Sequence, residues 1–257
     1  MQKRETYALI VAAGRASRMR ATLKTNKVYA ELDSKPVLSH SIERMVSLDF
    51  IKGIIVVIAE GEEKLCRQAI GSSDFSGRKV FIDIAPGGKL RWQSVYNGLL
   101  KLSEKTGEAF KNSIVLVHDG ARPNFSVPAV SKMFERFKEE NSGGEELHAI
   151  TLAAPSVDTL CRTDAGGEII SYEDRRFIYR IQTPQIFSSA VLISCFKKYE
   201  RGIAEGRAPE FGDETSMLKY YAQKVKFYEG SENNIKITTP EDIERLNAMF
   251  AGRKAVE

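Results

Sequence analysis

The chain has 257 residues, of which 42% are hydrophobic and 28% charged, an ordinary composition for a globular protein with a full core. Its formal net charge of +4, from 38 basic and 34 acidic residues, is too mild to argue for nucleic-acid binding. Three scattered cysteines lack metal-ligand spacing and fit a reducing cytosol. The apolar runs are too short to cross a membrane, and no signal-peptide pattern precedes them. We therefore expect a cytoplasmic protein that binds neither nucleic acid nor membrane.

Short apolar segments, rich in β-branched residues, alternate with helical patterns along most of the chain. Five such segments lack strict alternation and predict strands buried on both faces, as parallel sheets require: residues 7–12, 54–59, 80–84, 114–117 and 149–154. Helical spacing predicts one helix that starts at Pro36 and further helices at residues 62–70, 92–102 and 127–139. This order predicts an α/β fold, a doubly wound, three-layer, Rossmann-like arrangement with a mainly parallel sheet.

The alternation breaks between residues 155 and 180. A Thr-Asp-Ala-Gly-Gly turn there predicts a hairpin of two short extended segments, at 159–162 and 168–172. Helices at 189–199 and near Asp213, a strand at 225–228, and a final helix follow. That last helix begins at Thr239 as N-cap, with Asp242 in the capping-box position. Because no domain boundary is evident, we expect residues 1–257 to form a single domain with an inserted arm at about 155–180.

The first predicted strand runs directly into a loop that reads Ala-Ala-Gly-Arg-Ala-Ser-Arg-Met-Arg. Ala12, Ala13 and Gly14 allow a ligand to approach the main chain, and Arg18 and Lys27 can neutralise phosphates. The loop has neither the Walker Gly-Lys-Ser/Thr sequence nor the dinucleotide glycine spacing. It predicts a nucleotide loop in which side-chain cations bind phosphates; a solvated arginine-rich turn is the alternative.

Two further loops follow predicted strands. Gly87 and Gly88 permit close ligand approach before a helix N-terminus that favours an anion or a base carbonyl. Asp119, at the carboxyl end of a strand, is placed for a divalent metal or a ribose hydroxyl, and Arg122 for a second anion. For the glycine loop, the alternative is a plain connection between a strand and a helix. For the Asp119 loop, the alternative is an internal ion pair between Asp119 and Arg122. Lys236 lies between two isoleucines, and this pattern alone favours a solvated lysine.

Eight motifs follow one another between about residues 7 and 250: VAAGRASRM, NKVY, GG..R..SV, VHDGARP, APSVDT, QTPQIF, GDETS and NIKITTPEDI. Together they resemble the methylerythritol phosphate cytidylyltransferases and their relatives that act on ribitol and other pentitol phosphates. The resemblance implies that a sugar-alcohol phosphate attacks the α-phosphate of CTP with the help of Mg²⁺, which gives a CDP-alcohol and pyrophosphate.

The resemblance also implies roles for individual residues. The implied catalytic residues are Arg18, Lys27, Arg175 and Lys236. Those implied to bind the nucleotide are Ala12, Ala13, Gly14, Gly87, Gly88, Arg91, Ser94 and Asp119, of which Asp119 would also serve the metal. Those implied to bind the acceptor are Arg122, Thr159, Arg175 and Thr183.

In the family, the hairpin arm reaches into the partner subunit. The resemblance therefore implies a homodimer in which Thr159 and Arg175 complete the neighbour's site. The chain departs from the family pattern in several places, with Asn26 where proline is usual and Gly212 where a threonine often contacts the acceptor. Smaller departures are found at Ala16, Val28 and Gly120.

Three alternatives to a methylerythritol phosphate cytidylyltransferase remain open at this point. The first is the same chemistry on ribitol 5-phosphate or another pentitol phosphate. The second is a non-catalytic protein that keeps the nucleotide pocket, and the third is a hexose-1-phosphate nucleotidyltransferase that uses another base.

Overall fold

The structure is a computed structural model that describes residues 4–14, 26–142 and 146–254. The strands of these segments are, in chain order, β1 (Thr6–Val11), β2 (Glu31–Leu32), β3 (Lys35–Pro36), β4 (Ile51–Ile58), β5 (Phe81–Pro86), β6 (Ile114–Asp119), β7 (Ala149–Pro155), β8 (Cys161–Thr163), β9 (Ile169–Tyr172), β10 (Tyr179–Ser188) and β11 (Val225–Glu229). The helices are α1 (Val37–Val46), α2 (Glu63–Gly71), α3 (Arg91–Thr106), α4 (Val127–Ser142), α5 (Ser189–Ala204), α6 (Glu214–Tyr220) and α7 (Pro240–Lys254). Short 3₁₀ turns cover Lys27–Tyr29, Gly107–Asn112 and Arg175–Phe177. No helix within these segments is long and apolar enough to cross a membrane.

The described strands include seven that form one sheet in the order β11-β7-β10-β6-β1-β4-β5. Neighbouring strands are parallel except at β10, which is antiparallel to both β6 and β7. All six residues of β6 and seven of the eight in β4 are buried. This two-sided burial explains why the central strands read as continuous apolar runs.

Helices cover both faces of the sheet. Alternate residues of β1 point to opposite sides, so Ala8 and Ile10 join one apolar cluster while Tyr7 and Leu9 join the other. The first cluster is completed by α1, α2, α4 and α7, and the second by α3, α5 and α6. The predicted three-layer, doubly wound α/β fold is confirmed.

Several elements differ from the sequence expectations, and β10 and the start of α1 show why. The strand β10 was not predicted as a strand, because Pro184 in its middle lacks an N–H and the flanking residues are polar. The structure accommodates this proline with a break in the pairing register between Ile181 and Gln185. The first helix begins at Val37 rather than Pro36, since Pro36 still pairs in the small β2–β3 hairpin.

The predicted hairpin is present as β8 and β9, which form a separate two-stranded sheet. Asp164 closes its turn by accepting hydrogen bonds from the backbone N–H groups of Gly166 and Glu168, both at 2.9 Å. Every residue of the two strands is exposed. In the part of the chain that the structure describes, the hairpin therefore pairs with no strand of the main sheet.

Candidate active site

A cleft of about 380 Å³ opens at the carboxyl ends of β1 and β6. These strands are parallel neighbours, and their register pairs Val11 with Asp119, so the loops that follow them meet. The predicted site residues that line this cleft are Ala12, Ala13, Gly14, Lys27, Gly88, Arg91, Ser94, Asp119 and Lys236. Ligands of open α/β sheets bind at this edge. Arg18 lies outside the described residues.

Lys27 reaches the cleft from a 3₁₀ turn that Asn26 caps. The Asn26 side chain accepts from the Val28 N–H at 3.5 Å and donates to the Ala12 carbonyl at 2.9 Å. A second donor contact reaches Glu62 at 3.3 Å. Asparagine thus ties the Lys27 turn to the end of β1 by hydrogen bonds, at a position where the family pattern has the rigid residue proline.

The glycine loop packs tightly against the first loop. A side chain at Gly87 would place its Cβ atom 2.4 Å from that of Ala13, so only glycine fits there. The buried Ser94 hydroxyl accepts from the Gly88 N–H at 3.0 Å and donates to the Leu90 carbonyl at 3.3 Å. Ser94 therefore shapes the loop as well as lining the cleft.

Three cations surround the buried carboxylate of Asp119. The Lys236 Nζ lies 2.8 Å from Oδ2, the Arg91 Nη2 3.4 Å from Oδ1, and the Arg122 Nε 3.5 Å from Oδ2. Burial would raise the pKa of Asp119, but Arg91, Lys236 and Arg122 outweigh it and hold that pKa below its ordinary value. As far as the structure describes the chain, the cleft therefore combines the ionised carboxylate of Asp119 with a surplus of positive charge.

Lys236 owes its position to its two neighbours. Ile235 and Ile237 are buried, and the Ile237 N–H donates to the Ala121 carbonyl at 2.8 Å. Alternation then directs Lys236 away from the core, towards Asp119. The sequence correctly predicted the alternation, but the outer face is the wall of the cleft, so Lys236 is paired rather than simply solvated.

Behind the cleft, Thr183 and His118 connect β10 to β6. The Thr183 hydroxyl accepts from the Asp119 N–H at 3.0 Å and donates to His118 Nδ1, also at 3.0 Å. The other ring nitrogen donates to the Arg122 carbonyl at 3.1 Å. Burial lowers the pKa of His118 to about 3, so the ring is neutral and keeps this tautomer at physiological pH.

Of the remaining predicted site residues, three lie next to the cleft and two lie on the arm segment. Gly87 supports the wall, and Arg122 donates to the Asn234 carbonyl at 2.8 Å while it contacts Asp119. Thr183 is buried behind Asp119. Thr159 and Arg175 are exposed on the arm segment and do not line the cleft of their own chain.

Sequence reasoning missed several residues that organise the site. Glu214 is only 2% exposed and accepts a hydrogen bond from Arg91. Asn234 donates to the Thr183 carbonyl at 2.9 Å. Neither has a local signature, because each partner is distant in the chain. The GDETS and NIKITTPEDI motifs that contain them were the available signal.

Among the described residues, the cleft offers a metal ion one carboxylate, that of Asp119. Within residues 4–14, 26–142 and 146–254, no group of three or more His, Cys, Asp or Glu side chains is arranged to hold an ion. Asp119 is the acidic residue that lines the cleft in those segments. Since Mg²⁺ in nucleotide sites is bound by one or two carboxylates together with substrate phosphates, this donor set fits magnesium.

Comparison with known proteins gives a consistent picture. The model of the IspD family, described as 2-C-methyl-D-erythritol 4-phosphate cytidylyltransferase, matches residues 6–251. A protein of that name from Caldanaerobacter subterraneus subsp. tengcongensis is 37% identical over 236 residues, 92% of this chain and 94% of the relative. Another from Desulforamulus reducens is 33% identical over 247 residues, 96% of each chain.

Solved structures agree with the sequence relatives. The structure of 4-diphosphocytidyl-2C-methyl-D-erythritol synthase from Anaerococcus prevotii has a TM-score of 0.76 at 25% identity and covers 96% of both chains. That of 2-C-methyl-D-erythritol 4-phosphate cytidylyltransferase from Francisella tularensis has a TM-score of 0.71 at 25% identity, with 95% of this chain and 99% of that one covered. The prediction of a nucleotidyltransferase is confirmed, and the chain belongs to the IspD family of 2-C-methyl-D-erythritol 4-phosphate cytidylyltransferases.

Proposed function

We propose that this chain couples CTP to 2-C-methyl-D-erythritol 4-phosphate, which yields the CDP-alcohol and pyrophosphate. The observation that carries the proposal is the cleft at the carboxyl ends of β1 and β6, where small-residue loops and Lys27 line the same space as Asp119 and its partners Arg91 and Lys236. Family membership supplies the substrates. We further propose that residues 1–257 act as one nucleotidyltransferase domain in the cytoplasm, where the three unpaired cysteines would stay reduced.

The reaction makes modest chemical demands on the protein. An oxygen of the acceptor phosphate forms a bond to the α-phosphorus, and the bond to the bridging oxygen of the β-phosphate breaks with its electron pair. The nucleophile is already an anion, so no strong general base is needed. Catalysis then consists of bringing two polyanions together and stabilising the added charge of the five-coordinate transition state.

We assign the charge stabilisation to the cations of the cleft. Lys27 and Lys236 line the cleft from different segments of the chain, and Arg18 would join them from the first loop as the family pattern implies. A cation about 4 Å from a phosphate charge gains about 4 kcal/mol at an effective dielectric of 20. Two such contacts would hold the triphosphate and stabilise the departing pyrophosphate.

The nucleoside would lie against the small-residue walls. Ala12, Ala13 and Gly14 leave the main chain accessible, and the Gly88 loop faces them. A base or ribose can therefore approach peptide groups closely. Arg91 supplies further N–H donors at this wall.

Asp119 would hold the magnesium ion together with the phosphates. When bound, Mg²⁺ neutralises phosphate charge and orients the triphosphate. Lys236 and Arg91 keep Asp119 ionised and fixed at the cleft wall, and the negative phosphates would supply the main attraction for the metal ion.

We propose that the acceptor is bound between Arg122 and the arm of a partner subunit. Arg122 lies next to the cleft, whereas Thr159 and Arg175 are exposed on the arm of their own chain. The arm segment and its flanks also expose large apolar side chains, with Ile170 and Tyr172 each 67% exposed and Phe177 76%. Apolar exposure of this kind marks protein interaction surfaces. It supports a homodimer in which the arm of one subunit completes the site of the other.

Subunit complementation tests this arrangement. Lys27→Ala and Arg175→Ala variants should each be nearly inactive alone. A mixture refolded together would contain heterodimers with one intact site and one doubly altered site, so about a quarter of wild-type activity should return in a two-fold dimer. Separately refolded proteins mixed without exchange are the control. No recovery in refolded mixtures that contain heterodimers would contradict a site shared between subunits.

The function itself is tested by initial rates of pyrophosphate release. We expect turnover with CTP, 2-C-methyl-D-erythritol 4-phosphate and Mg²⁺, and much slower turnover with ribitol 5-phosphate. Replacement of CTP by UTP, GTP or ATP should lower the rate. Faster turnover with ribitol 5-phosphate would transfer the proposal to the pentitol phosphates. A preference for a purine nucleotide, or tight CTP binding without pyrophosphate release from any acceptor, would overturn it.

A further inference from the structure

An ion pair joins the cleft-lining Arg91 to a carboxylate inside the protein. Glu214, the first residue of α6, is 2% exposed, and its two carboxylate oxygens lie 2.6 and 2.8 Å from Arg91 Nη1. The other terminal nitrogen of Arg91 lies 3.4 Å from Asp119. One guanidinium thus connects a carboxylate inside the protein to a carboxylate in the cleft. We propose that Glu214 is a positioning residue that fixes Arg91 for nucleotide binding.

Glu214 has little freedom to move. The first turn of α6 is capped by Asp213, which accepts from the Ser216 N–H at 2.8 Å. Asp213 also accepts from the Gln185 amide and the Thr215 hydroxyl, both at 2.7 Å. Because Gln185 belongs to β10 in the centre of the sheet, these bonds attach the start of α6 to the sheet and place Glu214 against Arg91.

The pair also restrains Arg91. Among the residues that the structure describes, Arg91 is the cation that contacts Glu214. Movement of Arg91 away from it would leave a buried carboxylate without a counter-charge, which is strongly unfavourable. Arg91 is therefore held at the cleft wall before any ligand arrives, and such pre-organisation lowers the ordering that binding requires.

The charge of Glu214 also affects which part of the nucleotide Arg91 serves. Glu214 already balances the guanidinium, so Arg91 offers the ligand oriented N–H donors rather than a net positive charge. Donors of this type suit a base carbonyl or a ribose hydroxyl of the nucleoside. Loss of Glu214 should accordingly weaken CTP binding and leave the affinity for the acceptor nearly unchanged.

The inference rests on the proposed function, so its test uses CTP binding without acceptor. Glu214→Gln should raise the Kd for CTP, measured by calorimetry with Mg²⁺, about 10- to 100-fold, the size expected for the loss of one hydrogen bond from a charged group to the ligand. The KM for the acceptor phosphate should change less than about twofold, a split that a general loss of structure would not produce. Glu210→Gln, an exposed acid on the preceding segment, is the matched control and should bind CTP as the wild type does.

The Arg91→Met variant shows whether Glu214 affects CTP binding by positioning Arg91 or by a separate effect on the stability of the protein. If Glu214 acts through Arg91, Glu214→Gln should have no further effect on CTP affinity in the Arg91→Met background. Should Glu214→Gln fail to fold, Glu214→Asp keeps the charge, and we expect an intermediate Kd. Equal CTP affinity in the wild type and a folded Glu214 variant, or additive effects with Arg91→Met, would overturn the inference. Absence of CTP binding by the wild type would instead count against the proposed function.

Discussion

Replacement of Lys27 by alanine should lower kcat roughly 10²–10³-fold, the loss typical of one transition-state contact. Lys27 lines the cleft on a short turn that Asn26 fixes to the end of β1, so its ammonium group is held near the triphosphate site we propose. The KM for CTP should rise less than kcat falls, because the added charge develops only in the transition state. Steady-state rates of pyrophosphate release measure both quantities.

A lysine outside the cleft provides the control for this prediction. Lys64→Ala removes the same charge from an exposed position on α2 and should leave kcat within about twofold of the wild type. Wild-type turnover by Lys27→Ala, or equal losses in the two variants, would remove Lys27 from the catalytic machinery.

Replacement of Asp119 by asparagine should affect both activity and stability. The carboxylate is 7% exposed and balances Lys236, Arg91 and Arg122. Its loss leaves these cations to repel one another, and the free energy of unfolding should fall by about 3 kcal/mol. The value of kcat/KM should fall about 10²–10³-fold because Lys236 loses the carboxylate that fixes its position in the cleft. The magnesium concentration for half-maximal rate should rise.

Asp83→Asn is the matched control. Asp83 also forms an ion pair with a lysine, Lys105, whose Nζ lies 3.1 Å away, but Asp83 does not line the cleft. A partly exposed pair of this kind contributes about 0–1 kcal/mol, so this variant should unfold nearly as the wild type does and keep its activity. Unfolding in urea and initial rates check both variants. Unchanged stability and kcat/KM in Asp119→Asn would contradict the central place of this carboxylate.

The sequence predicted those features that depend on neighbouring residues. Apolar runs identified β1, β4 and β6, because strands buried on both faces need continuous hydrophobic sequence. The capping pattern at Thr239 is also present, since the Asp242 carboxylate accepts from the Thr239 N–H at 2.9 Å. Local patterns of this kind require no knowledge of distant contacts.

Features that join distant segments were not predictable from pattern alone. Arg91 and Glu214 are 123 positions apart, and the sequence around each residue does not predict a contact with the other. Alternation placed Lys236 on the face away from the core, yet that face is the cleft only because β6 brings Asp119 to it. The polar, proline-containing β10 has no apolar run that predicts a strand, and its place between β6 and β7 depends on pairing with both of them.

The most direct test of the account is a crystal structure of the protein with CTP and magnesium. We predict that the triphosphate lies in the cleft between the loops after β1 and β6, with the Nζ atoms of Lys27 and Lys236 within hydrogen-bonding distance of its oxygens. CTP bound elsewhere, or a triphosphate in the cleft with Lys27 directed into solvent, would contradict the account.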